Sequence, residues 1–222
     1  HPFLWWWWFE KSIPKVLRSR KADLFLSPDG HLSLNTNVKS LAVIHDLNFE
    51  HYPKDLPFFV GRYYRKYFPK FAKKAHRIAT VSEYSKKDIV KCYNIDESKI
   101  DVLHNGANEK YKPVSEEMKK QVREKYTDGK NYFLFVGSLH PRKNIPRLMQ
   151  AFNKLKAKIS SDMKLVIAGG EMWLTEEIKT MFENLPCKND VVFTGRLHID
   201  ELVKLNAAAF ALAYVPYFEG FG

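Results

Sequence analysis

The run Gly137-Ser-Leu-His-Pro-Arg-Lys-Asn144 carries the residue types that hold a phosphorylated ligand. Gly137 lets backbone approach closely, with Ser138 beside it, and Arg142 and Lys143 supply cationic donors. Asn144 can cap a following helix, whose N-terminus points unpaired N–H groups at an anion. An Arg-Lys pair in an arbitrary loop is ordinarily solvated. This one follows the apolar run Tyr132 to Val136, and in open parallel sheets ligands sit beyond the carboxyl ends of the strands. Neither a Walker loop nor G-x-G-x-x-G is present, which argues against P-loop and standard dinucleotide chemistry. Two more candidates are His45-Asp46, after the apolar run Ser40 to Ile44, and Glu219, flanked by Gly220 and Gly222. Alone, each has a bland reading, as a strand-end turn and as a solvated loop acid.

The elements that must position these residues are legible in the periodicity. Beyond a polar stretch ending near Lys130, strands are expected at Tyr132 to Val136, Lys164 to Ala168, Val191 to Thr194 and Phe210 to Val215. Helices are expected between them at Asn144 to Ile159, Thr175 to Phe182 and Ile199 to Ala207. Such alternation means βαβ units and a parallel sheet, a Rossmann-like α/β domain. Gly169-Gly170 and Gly195-Arg196-Leu197 fall on the same sheet edge as Gly137, where a base or ribose could lie against backbone.

The earlier half reads as a helix from Leu4 to Arg20 and strands at Asp23 to Ser27, Ser40 to Ile44, Arg77 to Val81 and Ile100 to Leu103. A helix capped by Ser82 runs to about Tyr93, and another spans Ser115 to Tyr126. The spacing Phe59, Tyr63, Tyr67, Phe71, Ala75 predicts one apolar face of a helix whose remainder is basic, with Pro69 as a candidate kink. The boundaries are 1–111 for a first α/β domain, 112–130 for a linker region and 131–222 for a second. The tetra-tryptophan run Trp5 to Trp8 reads as core packing.

Bulk composition bounds the answer. The chain has 222 residues, 45% hydrophobic and 27% charged, ordinary values that exclude disordered and fibrous classes. A net charge of +11 implies an anionic partner, from nucleic acid to a membrane surface or a phosphorylated small molecule. Cys92 and Cys187 form no C-x-x-C pair, so a reducing, cytoplasmic setting is expected without a disulfide or zinc framework. The aromatic start is too short to span a bilayer. The basic helix supports two readings: an element docking on anionic lipid at the inner face of a membrane, or a core helix with a lysine-rich solvent face.

An ordered set of runs extends over nearly the whole chain: His45-Asp46-Leu, Thr80-Val-Ser-Glu-Tyr-Ser85, His104-Asn-Gly-Ala107, Phe135 to Asn144, Leu165-Val-Ile-Ala-Gly169, Val192-Phe-Thr-Gly195 and Glu219-Gly-Phe-Gly222. In this set the chain resembles the retaining, nucleotide-sugar-dependent glycosyltransferases of family 4. The resemblance implies the GT-B architecture, two Rossmann-like domains with parallel sheets facing across a cleft, both incomplete here, as in a fragment lacking both ends.

It further implies that Lys143, helped by Arg142, Gly137 and Ser138, grips the donor diphosphate. Glu219 would be the first acid of a paired-glutamate motif and, with Gly220, Phe221 and Gly222, would hold the donor sugar. The second acid would fall eight residues later, beyond this chain. His45 would face the transferred sugar, and Gly169, Gly195, Arg196 and Leu197 would meet the nucleoside. Many relatives carry arginine where Ser138 stands, so part of the phosphate grip must come from Arg142 or elsewhere.

The expected activity is transfer of a hexose from a nucleotide-diphosphate sugar to a saccharide or lipid-linked acceptor, in surface polysaccharide assembly. No cofactor or metal is expected: Asp-x-Asp, the usual carboxylate pair for a divalent ion on a nucleotide sugar, is absent, and positive side chains would stabilise the leaving diphosphate. The alternatives are a GT-B epimerase or phosphorylase, or a basic nucleic-acid-binding module. The last has no helix-turn-helix, zinc-finger or RNA-recognition signature behind it, so no nucleic-acid partner is expected.

Overall fold

The computed structural model describes residues 2–159, 161–170 and 176–222. Contacts divide them into two units, the first comprising 1–106 with 219–222 and the second 107–218.

The first unit opens on helix α1 (Pro2–Trp7), a π-helical turn (Trp8–Ser12) and α2 (Ile13–Ser19). Strands β1 (Leu24–Ser27), β2 (Lys39–Val43), β3 (Arg77–Thr80) and β4 (Ile100–Val102) form a parallel sheet in sequential order. The short α3 (Asn48–His51) and the long α4 (Phe58–Lys74) connect β2 to β3, and α5 (Glu83–Tyr93) connects β3 to β4. Ala42, Ile44 and Ile78 pack with Phe68, Phe71 and Ala72 of α4 and Ile89 of α5 to form the core. Burying each large side chain contributes about 1.5–3 kcal/mol.

The buried face of α4 is shifted from the expected one. Tyr63 and Phe71 are inside, but Phe68 is buried as well and Phe59 is 71% exposed. The cause is the first turn of the helix, which extends past the core and leaves Phe58 and Phe59 uncovered. The tryptophan run likewise divides: Trp5 packs against Tyr63 and Tyr64, whereas Trp7 and Trp8 are exposed, because successive helical positions cannot all face one core.

The second unit begins with α6 (Glu116–Thr127), followed by β5 (Tyr132–Val136), α7 (Ile145–Lys158), β6 (Lys164–Ala168), α8 (Glu176–Glu183), β7 (Val191–Gly195), α9 (Ile199–Ala208) and β8 (Ala211–Leu212). Stretch 112–130 is therefore not a bare linker. Val122 of α6 is buried against Tyr132, Leu134, Leu205 and Ala208, so the helix belongs to the second unit's core. The expected start of α8 at Thr175 lies outside the described residues.

All strands of this sheet are parallel, in the order β7-β6-β5-β8. Alternate strand residues feed two cores, as a sheet covered on both faces requires. Phe135, Leu165 and Ile167 pack on α7 and α8, while Tyr132, Leu134, Val166 and Ala168 pack on α6 and α9. Strand β8 is shorter than expected, although Phe210 and Ala213 extend its ladder by donating to Tyr132 and Leu134. The chain leaves β5 for β6 on one side and later returns to β8 on the other. The carboxyl end of β5 is thus a topological switch point, where crossovers diverge and open a crevice.

Candidate functional site

In the second unit, the residues after β5 occupy that switch point. Gly137 N–H donates to the Ala168 carbonyl (3.0 Å), and Gly169 N–H donates to the Gly195 carbonyl (3.0 Å). The ends of β5, β6 and β7 are thereby laced into one glycine-rich edge. A Cβ on Gly169 would stand 1.8 Å from the Gly137 carbonyl oxygen and 2.8 Å from its carbon, so only glycine fits there. Gly195 adopts φ 67°, in the left-handed region.

Beyond Gly137 the loop tightens into a 3-10 turn, Pro141–Lys143. Buried His140 caps the turn by accepting from Arg142 N–H through Nδ1 (3.3 Å), which places the proton of a neutral ring on Nε2. Asn144 then reverses the chain into α7 at φ 63° and ψ 33°. Contrary to the expectation from sequence, its side chain does not cap the helix. The left-handed backbone turns the amide away, and Nδ2 donates to the Val215 carbonyl (3.0 Å) instead.

The segment after β8 positions both basic residues. Lys143 Nζ donates to Tyr214 Oη (3.0 Å) and lies 5.1 Å from the centroid of that ring, which stacks on Phe135. Arg142 Nη1 donates to the Phe218 carbonyl (3.4 Å), and Tyr217 N–H donates to the Arg142 carbonyl (3.1 Å). Ser138 is exposed beside Gly137, Arg196 is exposed, and Leu197 packs against the α6 and α9 core. Such an edge can receive a diphosphate along glycine backbone with two half-buried cations at hand. Neither Tyr214 nor His140 stands out in the sequence as a site residue. A tyrosine just past a strand carboxyl end was the available signal for the first, but nothing local announced the second.

In the first unit, His45 follows β2 and is exposed. Its Nε2 donates to the Pro28 carbonyl (2.9 Å), which leaves Nδ1 as the acceptor of a neutral ring. Asp46 Oδ1 accepts from Asn48 N–H (3.0 Å) and starts α3. The C-terminal residues join this loop. A Cβ on Gly220 would stand 2.1 Å from the His45 carbonyl oxygen and 2.9 Å from Asp46 Cβ. Ser82, the N-cap of α5, donates to the Gly220 carbonyl, and Ser85 Oγ lies 3.0 Å from both the Gly220 and His45 carbonyl oxygens. Three runs separated in sequence, around His45, Ser82 and Gly220, therefore meet. Glu219 is partly buried, Phe221 stands near the His104 ring (6.1 Å), and Gly222 is exposed.

A cavity of about 300 Å³ adjoins His45 and Asp46, lined also by Trp5, Phe9, Asp29 and His31. That volume suits a small ligand such as a sugar ring. The His31 ring is buried and stacks on Phe9 (5.1 Å). Hydrogen bonding from His31 above all, together with Ser27, brings the Asp29 carboxyl down to about 2, so it is ionised at the cavity mouth at neutral pH.

Comparison with known proteins matches both units. The family model for Glycosyltransferase Family 4 covers residues 1–111, and that for Glycosyl transferases group 1 covers residues 115–222. The O-antigen chain mannosyltransferase RfbU of Salmonella typhimurium is 32% identical over 81% of this chain and 46% of its own length. The O-antigen chain mannosyltransferase B of Escherichia coli is 26% identical over 93% of this chain and 54% of its own. The chain thus spans about half the length of these curated relatives. Among solved structures, Anabaena HepE in complex with UDP and glucose superposes with a TM-score of 0.73 at 18% identity, over 94% of this chain and 57% of that one. The fold is GT-B, as expected, and with a family model over each unit the chain belongs to glycosyltransferase family 4.

Proposed function

We propose that the protein moves a hexose-type sugar from a nucleotide-diphosphate donor to a saccharide or lipid-linked acceptor, retaining anomeric configuration and needing no metal. The observation that carries this reading is the glycine-laced edge of Gly137, Gly169 and Gly195, with Arg142 and Lys143 held beside it at the switch point. In the reaction the anomeric carbon–oxygen bond to the diphosphate breaks and a bond to the acceptor oxygen forms on the same face. The acceptor's hydroxyl proton passes to the departing phosphate oxygen. Lys143 and Arg142 stabilise the charge that grows on the diphosphate, work done elsewhere by a divalent ion. His45 lies by the transferred sugar, Glu219 with the segment 220–222 holds its hydroxyls, and Gly169, Gly195 and Arg196 meet the nucleoside. The names of the curated relatives favour a mannosyl group and an O-antigen-like saccharide.

The test is product analysis on the full-length protein with labelled nucleotide sugars and a lipid-linked saccharide, in the presence of chelator. The expected outcome is glycosylated acceptor with the donor's anomeric configuration and an unreduced rate. An altered nucleotide sugar formed without acceptor would mean an epimerase, dependence on free phosphate a phosphorylase, and loss of turnover on chelation would overturn metal independence.

The acceptor side is proposed to work at an anionic membrane surface on the cytoplasmic face. Among the described residues no helix is long and apolar enough to cross a membrane. On α4, however, exposed Phe58 and Phe59 adjoin exposed Arg62, Arg65 and Lys66, and a shallow cavity lined by Pro2, Phe59, Arg62 and Lys66 brings the aromatic α1 to the same surface. Aromatic and basic side chains together suit the headgroup region of anionic lipid, worth about 1 kcal/mol per basic residue near the surface. Sedimentation with anionic vesicles is expected at low salt and should weaken as salt rises. Failure to sediment at low ionic strength would remove the membrane from the proposal.

A further inference from the structure

Apart from the loops proposed for sugar transfer, three side chains of metal-ligating types converge in the first unit. His51 ends α3, while Asp88 and Cys92 stand at i and i+4 on α5, so helical geometry puts carboxylate and thiol on one face. His51 Nε2 lies 2.9 Å from each Asp88 carboxylate oxygen, and Cys92 Sγ lies 3.5 Å from Asp88 Oδ1. One ligand atom from each of the three falls within 4.8 Å of the others. A tetrahedral zinc ion, with bonds of about 2.0 Å to nitrogen and oxygen and about 2.3 Å to sulfur, spaces its ligand atoms roughly 3.3–3.7 Å apart. The separations from the Asp88 carboxylate, 2.9 Å to the His51 nitrogen and 3.5 Å to the Cys92 sulfur, lie close to that spacing.

The surroundings favour a cation. The Asp88 side chain is only 9% exposed and forms a fixed anchor, whereas His51 and Cys92 are open to solvent. The carboxylate of Glu50, held by the Tyr93 hydroxyl (3.0 Å), adds a second negative charge nearby. Without metal, the arrangement is a histidine–aspartate pair beside a thiol.

We propose that His51, Asp88 and Cys92 bind a divalent transition metal of the zinc type, with solvent completing the coordination and the Cys92 proton released to water. A thiolate, an imidazole and a carboxylate together select such an ion over calcium or magnesium. Its role would be structural. Asn48 at the start of α3 is bonded to Asp46, so a metal clip from α3 to α5 would fix the chain that leaves His45. The ion takes no part in the transfer proposed above, so stripping it is expected to lower thermal stability while turnover below the melting range persists.

Cobalt titration of the wild-type chain and of the variants Cys92→Ser, Cys187→Ser and His51→Gln tests the proposal. One equivalent of cobalt should produce a thiolate-to-cobalt charge-transfer band, kept in Cys187→Ser and absent in Cys92→Ser, and zinc should displace it. Zinc at about a hundredfold excess over its dissociation constant should raise the wild-type melting temperature by roughly 5 °C or more. His51→Gln should lose most of that rise. The absence of the band in wild type, its persistence in Cys92→Ser, or an unchanged wild-type melting temperature with zinc would each overturn the site. These readouts are independent of donor binding, so failure here leaves the transferase reading standing, and the reverse.

Discussion

Alanine at Gly169 is expected to collapse the glycine-laced edge of the second unit. The added methyl would sit 1.8 Å from the Gly137 carbonyl oxygen and 2.8 Å from the Gly137 carbonyl carbon. Both are backbone atoms in a hydrogen-bonded sheet edge, so no rotamer change relieves the clash, and either β6 or the loop after β5 must move. Overpacking of well-filled sites costs about 1–3 kcal/mol, and a backbone neighbour places this case at the upper end. For a unit of this size the melting temperature should fall by roughly 10 °C or more. The neighbouring Gly170 is the internal control, because a Cβ there meets nothing within 4 Å. Thermal melts of Gly169→Ala and Gly170→Ala should therefore diverge widely, and equal melting temperatures would refute the packing account.

Truncating Lys143 is expected to leave the fold intact and to weaken nucleoside diphosphate binding. Its ammonium group is half-buried, faces the Tyr214 hydroxyl and ring, and contributes no core area. Hydrogen bonds to charged groups contribute about 1.5–3 kcal/mol, so Lys143→Ala should lose roughly 10- to 150-fold in affinity. Tyr214→Phe removes one neutral partner but keeps the ring under the cation, and its loss should stay within about tenfold. Calorimetric titration of both variants measures the difference. A Lys143→Ala affinity equal to wild type would remove Lys143 from the donor site.

These expectations rest on parts of the molecule that were unequally visible in the sequence. The strands Tyr132–Val136 and Lys164–Ala168 were legible to the residue because both are short apolar runs bounded by polar or glycine positions. Ser82 as a cap of α5 was equally plain, since capping is decided within a few residues. Asn144 misled for the opposite reason. Its side chain bonds to Val215, far along the chain, and that partner outweighs the local cap.

The same division holds for the candidate site. Gly137, Arg142 and Lys143 could be found from type and position, but the Tyr214 contact to Lys143 depends on how β8 returns beside β5. The packing of Gly220 on the His45 loop and the His51, Asp88 and Cys92 cluster are likewise tertiary facts that no periodicity encodes. The exposure of Phe59, Trp7 and Trp8 shows the limit of apolar spacing as a guide to burial, since it marks a face without marking where the core ends.

If the edge formed by Gly137, Gly169 and Gly195 with Lys143 binds a diphosphate, affinity must depend on the second phosphate. Calorimetric titration of the wild-type protein with a nucleoside diphosphate and with the matching monophosphate measures that dependence. One-to-one binding of the diphosphate is expected, competed by the nucleotide sugar and at least about tenfold tighter than the monophosphate, as one further charge-assisted contact requires. Equal affinity for the two, or no binding of either, would contradict it.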